Sequence, residues 1–365
     1  MKITDVKADV YLREQPPWAT FGRDLPAPVK KVPYSVISIA TDEGINGFSM
    51  APPDIARAVV RGVKPQIVGK DPFDREAIWQ RLWYLCERAR HGSIPLLATS
   101  ATDIALWDIT GKALGLPIYK LMGAYRDKIP IYASSWGKPS VNDYAEEVIT
   151  CQKQGIHGYK IHPGTRSADK IIEICRATRE ACGGKMKLML DVAGCLERED
   201  AYKVGKELDK LNFYWFEEPI PDHDIEGLIK LREKLETPIC ATESNQLSIY
   251  GIPEYLLRRA VDIVRCDTWL SGGITPSKKI ADMCNAFGMK CEIHASFPTC
   301  SVANLHVECS ISNSEFHEMI WPEVQYALKT YPELDKEGYL HVPNKSGLGI
   351  EIDWDSMGEP VDHYK

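Results

Sequence analysis

Short apolar runs that end in an ionisable residue recur through the second half of the chain. The residues that end these runs are Asp191, Glu217, Glu243, Asp267 and His294, at intervals of 24 to 27 residues. Amphipathic stretches separate the runs, and a period of this size is typical of a repeated βα unit. Because the active sites of (β/α)8 barrels are built at the C-terminal ends of the strands, the five side chains are predicted to meet at one mouth.

The same alternation predicts further barrel strands on either side of this repeat. They are strand one at 129–136, strand two at 158–162 and strand eight near 316–319. Residues i and i+2 of a strand face the same side, so Lys160 and His162 are expected to point together. The fold class predicted for residues 126–324 is therefore α/β, a (β/α)7-8 TIM-type barrel.

The N-terminal third of the chain has a different pattern. Alternating segments at 1–13 and 34–50 predict an antiparallel strand pair, and helical periodicity follows from about residue 53 to 122. Residues 1–125 are thus predicted to form an α+β capping domain. The segment 325–365 is expected to fold back onto this domain.

One helical stretch of that domain, Ser100–Gly123, is rich in small residues at helical spacing. Small residues allow close packing, which favours a structural role for Asp103 and Asp108 over a catalytic one. Gly115 and Pro117 are expected to end the helix.

A loop between the two N-terminal strands, residues 14–30, is rich in proline and glycine and contains Trp18 and Phe21. This sequence is consistent with a surface loop whose two aromatic rings are buried beneath it. It fits equally a lid that closes over a site, with Trp18 and Phe21 in contact with the substrate. The sequence leaves both interpretations open.

The charge and cysteine content of the chain limit the kinds of molecule that it is expected to bind. The 365-residue chain has a net charge of −7 and no basic cluster, which argues against nucleic acid and anionic membranes but not against a small anionic substrate. Its 11 cysteines form no C-x-x-C pair. No signal peptide and no run long enough to span a bilayer is evident, so a cytoplasmic location is expected. A homo-oligomer is also expected, of a size that the sequence leaves open.

Asp191, Glu217 and Glu243 end three consecutive predicted strands. Three converging carboxylates repel one another unless a cation neutralises them, and all-oxygen ligands suit Mg2+. A single such acid is usually a solvated loop residue, but three at the same place in consecutive repeats favour a metal site. Glu218 neighbours Glu217 and faces the opposite way, so Glu217 is the predicted ligand.

Two further pairs are predicted to flank this metal site. Lys160 and His162 come from strand two on one side, and Asp267 and His294 from strands six and seven on the other. Asp267 is placed to accept a hydrogen bond from the imidazole, which selects its tautomer and raises its basicity. The pairs are therefore candidate acid/base groups.

With these motifs the chain resembles the mandelate racemase/muconate lactonizing enzyme family of the enolase superfamily, over nearly its whole length. The motifs that carry the resemblance are Ser100–Gly123, Trp215–Pro219, Thr242–Asn245 and Asp267…Ser271-Gly272-Gly273…His294. The resemblance implies a Mg2+ site formed by the three carboxylates, which binds the substrate carboxylate while a base removes the α-proton.

The resemblance further implies that Asp267 and His294 form an acid/base dyad and that Glu318 donates a hydrogen bond to the substrate carboxylate. Residues 14–30 and about 49–52 would be specificity loops. Two departures weaken the choice of reaction: strand two reads Lys160-Ile-His162 where such enzymes often have Lys-x-Lys, and Ala193 stands where they often have Asn.

Three reactions remain open. Dehydration of a sugar acid or diacid is favoured, cycloisomerisation of a sugar-acid lactone or anhydro sugar acid comes next, and epimerisation third. A binding protein on the same fold is the alternative of a different class. His294, with its carboxylate partner, is predicted to be the essential base, while Lys160 and His162 position the substrate and stabilise the enediolate. Lys160 could instead act in the place of a base on that face.

Overall fold

The computed structural model describes residues 1–15, 31–88, 94–245, 247–296 and 298–365. Trp18 and Phe21, the two predicted substrate contacts of the N-terminal loop, lie outside these residues. The prediction made for them is therefore unchanged.

The described chain alternates strands and helices through its central part. The strands are β1 (Ile3–Glu14), β2 (Lys31–Thr41), β3 (Asn46–Ala51), β4 (Lys128–Ser135), β5 (Gly158–Ile161), β6 (Lys187–Asp191), β7 (Trp215–Glu217), β8 (Ile239–Ala241), β9 (Ile263–Cys266), β10 (Lys290–Ile293), β11 (His317–Trp321), β12 (Tyr339–His341) and β13 (Asp362–Tyr364). The α-helices are α1 (Pro53–Ala58), α2 (Lys64–Ile67), α3 (Arg75–Glu87), α4 (Leu96–Leu114), α5 (Ile118–Leu121), α6 (Val141–Lys153), α7 (Ala168–Cys182), α8 (Arg198–Leu211), α9 (Ile225–Lys234), α10 (Ile252–Leu257), α11 (Ile274–Ala286), α12 (Pro298–Glu308) and α13 (Trp354–Met357). None of the helices within the described ranges is both long enough and apolar enough to cross a membrane.

Strands β4 to β11 form a closed parallel barrel. They pair in chain order, and β11 pairs with β4 to complete the eight-stranded ring. Tyr132, Trp215 and Phe316 pack edge to face inside one end of the barrel, where each buries a large apolar surface. The barrel and its N-terminal antiparallel sheet confirm the predicted fold class.

The N-terminal sheet has the strand order β13-β1-β2-β3, and every pairing in it is antiparallel. The pairing of β1 with β2 confirms the strand pair predicted from the alternating segments. Both faces of β2 are covered: Tyr34 and Val36 pack with Tyr11, while Ile37 and Ile39 join the main core.

Helix α4 joins the N-terminal sheet to the barrel. A Cβ atom on Gly47 would lie 2.1 Å from the Ala105 carbonyl oxygen, so β3 and α4 approach as closely as only glycine permits. Asp103 accepts hydrogen bonds from the Thr275 backbone N (2.9 Å) and Oγ1 (2.7 Å), and Asp108 accepts one from the Leu348 backbone N (3.0 Å). Both carboxylates therefore connect parts of the fold.

The C-terminal segment attaches at two places. Tyr364 of β13 pairs with Ala8 of β1, so the chain end adds a strand to the N-terminal sheet. Leu340 of β12 pairs instead with Ile129 of β4, on the barrel. The domain boundaries at 125/126 and 324/325 remain a prediction.

Candidate active site

Asp191, Glu217 and Glu243 come together at one mouth of the barrel. Asp191 and Glu217 end β6 and β7 and are register partners, and Glu243 lies two residues beyond β8. One carboxylate oxygen from each lies within 4.8 Å of the other two. Such a set of hard oxygen donors fits a divalent cation such as Mg2+.

Lys160 lies beneath these carboxylates and is fully buried. Its Nζ atom is 3.0 Å from Glu217 Oε1, 3.3 Å from Asp191 Oδ2 and 2.8 Å from Glu318 Oε1. Burial and Arg265 act to lower the pKa of Lys160, but the three carboxylates outweigh them and raise it. These carboxylates therefore favour the protonated form of Lys160.

Arg265, on β9, is a second fully buried cation, which the sequence interpretation missed. Its Nε lies 2.5 Å from Glu217 Oε1, and its Nη2 donates to Tyr132 Oη at 2.9 Å and also to Glu318. The signal that could have found it is its position two residues before Asp267 in a strand, which places it on the same side.

The charges of this cluster leave room for one divalent cation. When ionised, the three carboxylates and Glu318 carry four negative charges against the two positive charges of Lys160 and Arg265. Burial, together with repulsion from the other carboxylates, raises the pKa of Glu243 to about 7 despite the nearby His294 and Arg265. A carboxyl group under this repulsion gains strongly from a neighbouring cation.

Asp267 and His294 form a hydrogen-bonded pair on the far side of the carboxylates. Asp267 Oδ2 lies 2.9 Å from His294 Nδ1, while its Oδ1 accepts from the backbone N of Trp269 (3.0 Å) and of Leu270. His294 Nε2 lies 3.3 Å from Glu243 Oε1. Burial opposes protonation, but Glu243 and then the bond to Asp267 raise the pKa of His294 to about 9.

His162 follows β5 on the opposite side, and its ring is held differently. Its Nδ1 lies 2.8 Å from the carbonyl oxygen of Ser135, and its Nε2 lies 3.0 Å from Asp191 Oδ2. A carbonyl oxygen can only accept, so Nδ1 carries a proton. His162 and Lys160 both reach Asp191 Oδ2, as expected for side chains that point together.

Glu318 extends from β11 into the barrel and is 1% exposed. It accepts hydrogen bonds from Lys160 Nζ (2.8 Å), the Ala295 backbone N (2.8 Å) and Arg265. Burial raises its pKa, but the two cations overcome this effect and hold the pKa well below the usual range. In this arrangement Glu318 is an acceptor, so its expected role as a hydrogen-bond donor needs a proton that these contacts do not favour.

Glu218, the neighbour of Glu217, bonds to the backbone that follows β8. Its Oε1 accepts a hydrogen bond from the Ser244 backbone N at 3.2 Å. Burial, followed by repulsion from Glu243 and Asp222, raises the pKa of Glu218 to about 9. Among the described residues, the carboxylates whose oxygens converge within 4.8 Å are those of Asp191, Glu217 and Glu243, which is consistent with the choice of Glu217.

A cavity of about 750 Å3 opens above these groups. Its lining includes groups from both histidine sides and from the capping sheet: Arg13, Trp136, His162, Asp191, Glu243, His294, Glu318 and Tyr326. The predicted metal ligands and acid/base groups are thus brought to one site, and their catalytic roles remain predictions.

Comparison with known proteins assigns the chain to a family. The family model described as enolase C-terminal domain-like matches residues 143–356, and the model of the mandelate racemase / muconate lactonizing enzyme N-terminal domain matches residues 23–123. Arabinonate dehydratase of Saccharolobus solfataricus is 32% identical, over 80% of this chain and 79% of that protein. L-talarate/galactarate dehydratase of Salmonella typhimurium is 28% identical, over 89% and 82%.

The fold of a solved enzyme agrees with this assignment. The magnesium complex of D-glucarate dehydratase from Agrobacterium tumefaciens is 30% identical and superposes with a TM-score of 0.91, covering 99% of this chain and 100% of that one. The chain therefore belongs to the mandelate racemase/muconate lactonizing enzyme family of the enolase superfamily and is an enzyme of that group.

Proposed function

We propose that this enzyme catalyses the Mg2+-dependent dehydration of a sugar acid, with Asp191, Glu217 and Glu243 as the metal ligands. One observation carries the proposal: Asp191 and Glu243 of the carboxylate cluster line a single cavity together with His294, whose Nε2 lies 3.3 Å from Glu243. The relatives named above, which act on arabinonate, talarate or galactarate, and glucarate, support a sugar acid as the substrate.

The bound cation would hold the substrate carboxylate and stabilise the negative charge that develops when the α-proton leaves. Lys160 and Arg265 add two fixed positive charges beneath the same cluster. Since they are buried and already oriented, they stabilise that charge without reorganisation during the reaction.

His294 removes the α-proton through Nε2, the ring nitrogen that faces Glu243. Asp267 accepts the hydrogen bond of Nδ1–H, which leaves the Nε2 lone pair free in the neutral ring and stabilises the imidazolium that forms. Glu243 makes the largest contribution that raises the pKa of His294. Engagement of Glu243 as a ligand therefore lowers that pKa toward neutrality, where a general base works best.

His294 then returns its proton to the β-hydroxyl group as that group departs. The C–H and C–O bonds break, a carbon–carbon double bond forms, and water leaves. The resulting enol converts to a 2-keto-3-deoxy acid. This route uses one residue as base and acid, so it requires a substrate whose α-proton and β-hydroxyl lie on the same face.

A panel of aldonic and aldaric acids tests the proposal, with detection of 2-keto-3-deoxy products. Cycloisomerisation and epimerisation share the first step, but their products are isomers of the substrate, which NMR distinguishes. Absence of any 2-keto-3-deoxy product from the complete panel would refute dehydration.

The metal site is tested by Glu217→Gln. Loss of a ligand that contributes several kcal/mol of transition-state stabilisation is expected to lower kcat/KM by about 1,000-fold or more and to weaken Mg2+ binding. Glu292→Gln is the matched control, because Glu292 is buried in the same barrel, accepts from the Glu315 backbone N at 2.9 Å and has its pKa raised by burial to about 7. Full activity of the Glu217 variant, or activity undiminished by EDTA, would refute the metal site.

A further inference from the structure

Arg13, near the end of β1, lines the same cavity as Asp191 and His294 but belongs to the capping sheet. Its guanidinium carbon lies 4.4 Å from the centroid of the Tyr326 ring. Tyr326 in turn packs edge to face against Tyr34, with ring centroids 5.1 Å apart. These contacts hold the plane of the guanidinium group, and therefore the direction of its N–H groups, before any ligand binds.

One end of this guanidinium group lacks a hydrogen-bond partner. Arg13 Nη1 is buried and donates no hydrogen bond within the described part of the chain. Buried polar groups of native proteins are nearly always paired, because an unpaired one forfeits its bonds to water. An oriented, unpaired guanidinium nitrogen beside a ligand cavity indicates that the ligand supplies the missing acceptor.

The positive charge of Arg13 favours an anionic acceptor beside it. Arg13 is the one lysine or arginine among the described residues that line the cavity. Arg13 comes from the capping sheet and the carboxylate cluster from the barrel strands, so a substrate that contacts both extends from the barrel to the sheet. The planar fork of a guanidinium group matches a carboxylate with two parallel hydrogen bonds, which a hydroxyl group cannot make.

We propose that Arg13 binds the distal carboxylate of the substrate, and that the enzyme therefore prefers aldaric acids, which carry two carboxylates, to aldonic acids, which carry one. The inference rests on the proposed function and names its substrate class. The substrates of the relatives do not decide between aldaric and aldonic acids, since arabinonate is a monoacid whereas galactarate and glucarate are diacids.

The test is the replacement Arg13→Met, with kcat/KM measured on galactarate against galactonate and on glucarate against gluconate. The intact enzyme is expected to prefer the diacid of at least one pair by about tenfold or more. Arg13→Met should lower kcat/KM for that diacid by about 10- to 100-fold, the range of a charged hydrogen bond, and change the monoacid rate by less than about threefold.

Two further variants separate this effect from a loss of folding. Arg57 lies over the Tyr364 ring at 5.3 Å, outside the cavity, so Arg57→Met removes a similar stacked arginine and should leave the preference unchanged. Arg13→Lys keeps the charge but loses the fork, and an intermediate preference is expected. Calorimetric binding of galactarate and galactonate to the intact enzyme and to Arg13→Met gives the same comparison without turnover.

The possible outcomes are distinct. Equal or better use of monoacids by the intact enzyme, or an equal loss on both members of a pair in Arg13→Met, overturns the inference and leaves the proposed dehydration standing. If no sugar acid is dehydrated, the proposed function fails. The binding comparison then decides whether Arg13 recognises a second carboxylate.

Discussion

The two sides of the active site each present a histidine, yet they hold it in different ways. His162 Nε2 lies 3.0 Å from Asp191, and His294 Nε2 lies 3.3 Å from Glu243, so each ring contacts one predicted metal ligand. The other ring nitrogen meets the Ser135 carbonyl on the first side and the Asp267 carboxylate on the second.

The two partners have different effects on the histidine ring: both orient it, but only the carboxylate raises its basicity. A carbonyl oxygen selects the tautomer of a histidine but brings no negative charge, whereas a carboxylate selects it and also stabilises the imidazolium. The structure therefore favours His294 as the group that moves the proton. Lys160 adds a positive charge on the other side, which suits a developing anion.

The largest effect is expected from His294→Asn. Removal of the base should lower the exchange of the substrate α-proton in D2O by about 1,000-fold or more, in the upper range of general-base catalysis. His341→Asn is the control, because His341 also bonds a carboxylate, Asp335 at 3.0 Å, but lies on β12 outside the cavity. Exchange at an unchanged rate in the His294 variant would refute the assignment of the base.

Asp267→Asn tests what the carboxylate adds. The backbone N–H groups of Trp269 and Leu270 both donate to Asp267 Oδ1, so the amide oxygen of an asparagine would take that position and its NH2 group would face His294. That contact selects the tautomer with the proton on Nε2, which cannot act as a base. Exchange should fall by about 100- to 1,000-fold with the fold retained, and NMR of the ring nitrogens would report the tautomer. A normal tautomer and normal exchange would contradict the role of Asp267.

A third histidine shows what burial does without a carboxylate. His306, on α12, is fully buried between the Leu348 carbonyl, 3.0 Å from Nε2, and the Tyr119 backbone N, 3.2 Å from Nδ1. Burial lowers its pKa to about 4, partly offset by the Leu348 bond, whereas that of His294 is raised to about 9. The neighbours therefore decide the direction of the shift.

This lowered pKa of His306 has a consequence for acid stability. The unfolded chain takes up the proton below about pH 6.5, the unperturbed pKa, but the folded chain does so only near pH 4. The contribution of His306 to stability is present above pH 6.5 and is lost progressively as the pH falls to 4. The loss amounts to roughly 3 kcal/mol in the free energy of unfolding.

His306→Gln isolates that contribution. The glutamine amide can donate to Leu348 and accept from Tyr119, but it does not titrate. Urea unfolding of both proteins at pH 7.5 and pH 4.5 should show that the intact enzyme loses about 2–3 kcal/mol more than the variant. Equal losses would mean that His306 is not shifted in the fold.

These contrasts show which parts of the molecule the sequence encodes locally. A strand end is marked by an apolar run followed by a polar residue, so Asp191, Glu217 and His294 could be located from the pattern alone. The same alternation could also have predicted that Arg265 points into the barrel. It could not have predicted the lowered pKa of Glu318, because that depends on cations from two other strands.

The pattern of apolar and polar residues also does not predict contacts between segments that are distant in the sequence. Arg13 contacts the ring of Tyr326, more than 300 residues away in the sequence. The three-residue strand β12 has no recognisable periodicity of its own, and its pairing with β4 on the barrel was not anticipated in a segment expected to fold back onto the capping domain.

The smallest effect on proton exchange is expected from His162→Asn. His162 contacts Asp191 and the Ser135 carbonyl, so its loss should disturb the position of a ligand and of the substrate rather than remove the base. Exchange of the α-proton should fall by no more than about tenfold, as for a partner that orients a ligand, while KM rises. The measurement is the D2O exchange used for His294→Asn, on the same substrate and at saturating Mg2+.

The two histidine variants together decide between the sides of the site. If His162→Asn abolishes exchange and His294→Asn retains it, the base is His162, next to β5, and the two sides have been assigned in reverse. A loss in both variants would indicate a proton relay across the site, with one histidine on each face of the α-carbon. That arrangement suits epimerisation, which needs a second acid on the opposite face, better than a dehydration that uses His294 alone. The ratio of the two exchange rates therefore tests both the assigned base and the proposed reaction.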